Sequence, residues 1–230
     1  MKSLITIDTE TTGVDVHNDR IVTLFVGKMN MKGYWEKSAH FLFNPGVEIP
    51  AGAAAVHGIS TEVAQRNGRT DVGTVLNELQ NIIYAECVQQ DAALVVYNAP
   101  FDLTLINSEM ARHGAVPKFD WFQDMLILDP LVLDKGLDKW RKGSRKLVDA
   151  AAHYKVPVEQ NAHDAAADCL MAGRIAIKQL GRLHRTNVED GDLNVMQRNM
   201  HREQQESFEK YKRRSDPSFV GQHGWPVYER

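Results

Sequence analysis

Leu4-Ile5-Thr6-Ile7-Asp8-Thr9-Glu10-Thr11-Thr12-Gly13 is the stretch on which the reading of this chain turns. The apolar, largely β-branched run from Leu4 to Ile7 predicts a strand, and the acids that follow place its end at a polar turn. Side chains two apart on a strand share a face, so Asp8 and Glu10 point to one place. Taken alone, an Asp-x-Glu also fits a strand that merely runs into a polar loop. Thr11-Thr12-Gly13 adds a sharp turn at which backbone N–H groups can meet a ligand.

Working outward, residues 21–26 and 39–43 predict two more strands, the second stopped by Asn44-Pro45-Gly46. Three early strands in close succession suggest an antiparallel meander. Thr70 or Asp71 can cap a helix whose apolar stripe runs through Val75, Leu79, Ile82 and Ile83. Residues 93–97 are nearly all apolar, as suits a strand buried on both faces. Thereafter helices are predicted at 102–113, 147–154 and 164–180, with a strand at 125–128. The expected class is α/β: a mixed sheet, antiparallel meander plus parallel strands, flanked by helices. Residues 1–181 read as one domain. Residues 182–230 read as an extension, with Met196, Met200, Phe208 and Tyr211 on one face of a charged helix and an aromatic tail docked on the main body.

The 230 residues are 43% hydrophobic and 25% charged, ordinary for a globular protein, and nothing approaches the ~20 consecutive apolar residues of a membrane span. The opening residues lack a signal peptide's apolar segment, so a cytoplasmic location is expected. Cys87 and Cys169 form no metal-binding pattern and read as small buried apolar residues. The net charge of −3 announces no global field for nucleic acid. One basic segment, Lys135 to Lys146, contains Lys139, Arg141, Lys142 and Arg145; it reads either as a solvated loop or as a phosphate-contacting patch.

Two further clusters carry chemistry. Asn98-Ala99-Pro100-Phe101-Asp102 follows the buried central strand, at the sheet edge where α/β proteins bind ligands. Asp102 equally suits a helix cap, and Phe101 the core. His163-Asp164 opens the helix that carries Asp168, among small neighbours Ala165, Ala166, Ala167 and Ala172 that let a metal or phosphate come close. Four carboxylates gathered in one place repel, and hard divalent ions such as magnesium relieve that repulsion. A pair of ions about 3.5–4 Å apart can clamp both oxygens of an in-line displacement at phosphorus. His163, with an ordinary pKa near ~6.5, can take a proton from water at neutral pH.

Ile7-Asp8-Thr9-Glu10-Thr11-Thr12-Gly13, Asn98 to Asp102 and His163 to Asp168 resemble the three motifs of the DnaQ-like DEDDh exonucleases. That family includes the proofreading epsilon subunit of bacterial DNA polymerase III, ribonuclease T and oligoribonuclease. The resemblance runs from about Lys2 to about Leu180. It implies a ribonuclease H-like fold and 3′→5′ hydrolysis of a single-stranded nucleic-acid end to nucleoside 5′-monophosphates, and the leading reading is an exonuclease of DNA. It also implies two divalent ions, Mg2+ or Mn2+. Asp8, Glu10 and Asp168 would hold one, Asp8 would bridge to a second supported by Asp102, and His163 would be the general base. Val56-His57-Gly58-Ile59-Ser60 matches the family's segment near the terminal nucleotide. His57 would touch substrate or stabilise a turn, and Thr9, Thr11, Asn98 and Phe101 would line the 3′-end pocket. Lys139, Arg141 and Lys142 would track the phosphate backbone. Asp129 could support the site or cap the next helix. Alternatives are an exonuclease of short RNA or tRNA ends, and a silent nucleic-acid-binding or polymerase-docking module, although the latter should lack one of the five motif residues. A DNA polymerase is an expected partner, a membrane is not. The location implied is a bacterial cytoplasm, or a host's if a phage encodes the chain.

Overall fold

The computed structural model describes residues 1–158 and 164–229. Ser3–Thr11 forms β1, Ile21–Asn30 forms β2 and Trp35–Leu42 forms β3. They make the expected antiparallel meander, with Asp8 opposite Phe25 and Phe25 opposite His40. Helices α1 (Ala51–His57), α2 (Thr61–Asn67) and α3 (Val72–Ile83) follow. The chain then alternates through β4 (Ala93–Val95), α4 (Ala99–Arg112), β5 (Ile127–Leu128) and α5 (Pro130–Leu137). It closes with α6 (Leu147–His153), α7 (Ala165–His184) and α8 (Leu193–Lys212). β4 lies parallel to β1 and β5 parallel to β4, in the order β3-β2-β1-β4-β5.

Central strand β1 therefore sorts its side chains by parity. Ile5 and Ile7 enter a core with Leu76 and Leu79 of α3 and Leu103 and Ile106 of α4. Leu4 faces the opposite layer with Ala172, Ala176 and Leu180 of α7. Each fully buried Ile or Leu contributes about 1.5–3 kcal/mol, so slipping β1 by one residue would turn both apolar sets to the wrong layer. α7 comes close because its sheet side is small. A Cβ at Gly173 would lie 2.8 Å from Met29 Sδ and 3.1 Å from Thr6 Cγ2. The buried Ala165 and Ala172 thus serve helix–sheet packing.

Three local readings change. Asp71 stands at the start of α3 but makes no capping bond; its carboxylate takes the Arg69 guanidinium instead, at 2.6 and 2.9 Å. α4 begins at Ala99, so Asp102 sits inside its first turn and does not cap it. On α8, Phe208 and Tyr211 are exposed, and the buried stripe is Leu193, Gln197 and His201.

That stripe has a physical reason. β5 is an edge strand, with free backbone groups on its outer side. Gln197 donates to Ile127 O at 2.7 Å and accepts from Asp129 N at 2.8 Å, while Asn194 accepts from Ile127 N at 3.0 Å. Two side-chain amides of α8 thereby stand in for a sixth strand. The tail beyond α8 brings Trp225 into the core beneath α4, and Tyr228 N donates to Thr104 Oγ1 at 2.8 Å. Cys87 and Cys169 are both free and buried. No helix among the described residues is long and apolar enough to cross a membrane.

Candidate active site

The parity of β1 that sends Ile5 and Ile7 to one layer sends Asp8 and Glu10 to the other, toward the N-terminal turn of α7. There Asp164 caps the helix, accepting from Ala166 N at 3.0 Å, and Asp168 follows one turn on. Oxygens of Asp8, Glu10 and Asp168 lie within 4.8 Å of one another.

Asp102 reaches the same edge of the sheet from the other layer. Its Oδ1 accepts from Thr9 Oγ1 at 2.6 Å and from Thr9 N at 3.1 Å. Thr9 is the residue of opposite parity between the two acids, so a single strand orients three carboxylates. The start of α4 is itself held by Asp129, which is fully enclosed. Asp129 accepts from Asn98 N and Ala99 N at 3.0 and 2.9 Å, and also caps α5 through Leu131 N and Val132 N. Asn98 adopts φ 69°, a left-handed conformation that asparagine tolerates better than most residues.

The electrostatics are those of a site short of positive charge. Burial, and then the charges of Asp102, Asp168 and Glu10, push the Asp8 carboxyl well above its usual range. Burial, followed by Asp168, Asp102 and Asp164, moves Glu10 from 4.5 to about 7. Burial also raises Asp102 to about 7 despite the Thr9 hydrogen bonds. Hard oxygen donors this close fit a divalent cation such as Mg2+ or Mn2+, which relieves the repulsion that protons otherwise relieve.

The remaining candidates divide. His57 ends α1, where its Nδ1 accepts from Ile59 N at 3.2 Å and so ties the turn; burial lowers its pKa, opposed by the Thr11 backbone beside it. Thr11 turns its hydroxyl onto Gly13 O at 2.6 Å. Phe101 packs half-buried on the core. Arg141 is drawn inward, its guanidinium on the buried Asp134 at 2.6 Å, which makes it a strut of the loop. Lys139 is exposed and paired with Glu203 of α8, and Lys142 is exposed. His163 lies outside the described residues.

Two neighbours of the site were not among the residues the sequence singled out for chemistry. Asp164, part of the third motif, adds its charge to Asp8 and Glu10. Asp19 closes the turn after β1 by accepting from Thr12 Oγ1 at 2.7 Å and Asp15 N at 2.8 Å. A Cβ at Gly13 would fall 2.4 Å from that carboxylate, so the glycine was the signal for it. A cavity of about 890 Å³ lies between α4, α8 and the tail, and none of the four carboxylates lines it.

The RNase T exonuclease family matches residues 5–176. DNA polymerase III subunit epsilon of Rickettsia prowazekii is 34% identical over 180 residues, covering 77% of this chain and 73% of that protein. An uncharacterized exonuclease of Escherichia phage 186 is 30% identical over 174 residues, covering 73% and 82%. Among solved structures, E. coli exonuclease I in complex with a dT13 oligonucleotide superimposes with a TM-score of 0.67 at 19% identity, over 81% of this chain and 43% of that one. That likeness concerns the fold, which is the ribonuclease H-like one. With motifs, sheet order and family match in accord, the chain belongs to the exonuclease family, of the DnaQ-like type.

Proposed function

We propose that this exonuclease removes nucleotides from the 3′ end of single-stranded nucleic acid, DNA before RNA, with Asp8, Glu10, Asp102 and Asp168 as its metal-holding residues. The observation that carries the reading is the meeting of Asp8, Glu10 and Asp168 within 4.8 Å, with Asp102 beside them. Bound there, Mg2+ or Mn2+, taken as a pair, would supply Lewis acidity and a water ionised near neutral pH.

The chain's own residues orient and shield. Thr9 fixes Asp102, and Asp129 fixes the backbone from which Asp102 projects. Asp164 caps the helix that brings in Asp168, and its neighbour His163 is assigned the proton taken from the attacking water. In this reading Asn98, Phe101 and His57 would line the pocket of the terminal nucleotide. Relatives named as DNA polymerase III epsilon subunits favour a DNA substrate and a separate polymerase as partner. Solved relatives with bound oligonucleotides favour a single strand.

Single-stranded DNA and RNA, labelled at either end and incubated with Mg2+, Mn2+ or EDTA, test the proposal. Stepwise loss from the 3′ end, abolished by EDTA, is expected. Release from the 5′ end, or hydrolysis indifferent to EDTA, would overturn it.

A further inference from the structure

The loop between α5 and α6 is tightly held, yet it displays a side chain for which the fold has no use. The Asp134 carboxylate, wholly buried, binds Arg141 at 2.6 Å and Arg145 at 2.8 Å. Arg145 also donates to the carbonyls of Asp134, Asp138 and Arg141, and Arg141 to that of Ser144. Six charge-assisted or backbone bonds of this kind fix the loop from within. Tyr97 OH then ties Arg145 O, at 2.5 Å, to the segment just past β4, next in sequence to Asn98 and five residues before Asp102.

On this frame Trp140 is 91% exposed. Trp121 and Trp225 are buried, and Trp35 packs on Phe25, with ring centroids 5.4 Å apart. Solvent contact of a whole indole forgoes the largest apolar burial any side chain offers. Lys142 and Lys146 stand exposed in the same loop. An aromatic face among cations, on a rigid support tied to the edge that carries the carboxylates, has the chemistry that holds a base and its flanking phosphates. A protein partner would also cover the indole, but the cations favour a polyanion.

We propose that Trp140 is a stacking platform for one unpaired base of the single-stranded substrate, upstream of the end being cut, with Lys142 and Lys146 meeting the neighbouring phosphates. The proposal rests on the exonuclease reading above.

Its test is hydrolysis, with magnesium, of single-stranded DNA of increasing length. KM should fall in one step, about 5- to 150-fold, at the length where a base first reaches Trp140, which is the range that stacking on one aromatic ring provides. An abasic nucleotide at that position should remove the step. Trp140→Ala should abolish it with kcat little altered, and Trp140→Phe should retain most of it. Because the side chain lies outside the core, the unfolding midpoint should not move. A step that persists in Trp140→Ala overturns the stacking proposal and leaves the exonuclease reading standing, with the indole open to another occupant. A wild-type protein that hydrolyses none of the oligonucleotides overturns both.

Discussion

Replacing Glu10 by glutamine should make the metal-free protein more stable while destroying its activity. Burial and the nearby charges of Asp168, Asp102 and Asp164 move the Glu10 carboxyl from 4.5 to about 7. At about 1.4 kcal/mol per tenfold change, keeping Glu10 ionised without metal costs about 3 kcal/mol, which partial exposure reduces to roughly 2 kcal/mol. The folded-state value is the higher one, so this contribution to stability is complete where Glu10 carries its proton and declines as pH rises from 4.5 to about 7. In EDTA near pH ~8, Glu10→Gln should therefore melt about 4–8 °C above wild type, on the usual scale for domains of this size. Near pH ~4.5 the two should melt together, and saturating Mg2+ should raise wild type more than the variant. Calorimetry across that range decides it. A variant less stable than wild type in EDTA at high pH, or a difference that ignores pH, would refute the picture of clustered, uncompensated carboxylates.

Thr9→Val should move the acidic limb of the pH–rate profile upward by about 1–2 pH units, because a hydrogen bond to the ionised Asp102 is lost; an unmoved profile would detach Thr9 from the site. Arg145→Ala should cost about 2–4 kcal/mol near neutral pH by leaving Asp134 buried with one cation fewer. Burial opposes it, but hydrogen bonds from Arg141 and Arg145 hold the Asp134 carboxyl below its usual range. The stability they confer is complete above that usual value and lost as pH falls through the lower, folded-state one, so the deficit of the variant should shrink in acid when followed by denaturant unfolding. Gln197→Leu should cost about 2–4 kcal/mol, because two buried backbone groups of the β5 edge lose their partners; unfolding at an unchanged midpoint would mean that α8 does not seal that edge.

Much of the fold was legible because its signals are local. The strand of Leu4 to Ile7 and its two acids follow from a period of two, and the meander from short strands bounded by turn residues. Residues 93–97 were legible as a strand from unbroken hydrophobicity, although pairing ends at Val95. Other signals were present but competed. Asp71 and Asp102 both suit helix caps, and each was drawn to a stronger partner, Arg69 in one case and Thr9 in the other. Arg141 belongs to a basic run, yet its neighbour in space is an acid enclosed seven residues earlier, where leaving a carboxylate unpaired would cost more than exposing a guanidinium gains.

Asp8 and Glu10 sharing a face, an acid in the segment that follows β4 and an acid on an alanine-rich helix were all set by the order of residues, since backbone geometry alone fixes what lies two or four positions away. Whether those acids meet was not. Convergence required β4 to lie beside β1, Gly173 to let α7 settle onto Thr6 and Met29, and Asp129 to hold the turn into α4. It also took α8 to close the sheet with Gln197, a polar residue that no amphipathic pattern marks as buried. Those contacts join residues tens of positions apart. Which of many possible pairings forms is decided by packing and hydrogen-bond satisfaction over the whole molecule, and only the folded chain expresses that choice.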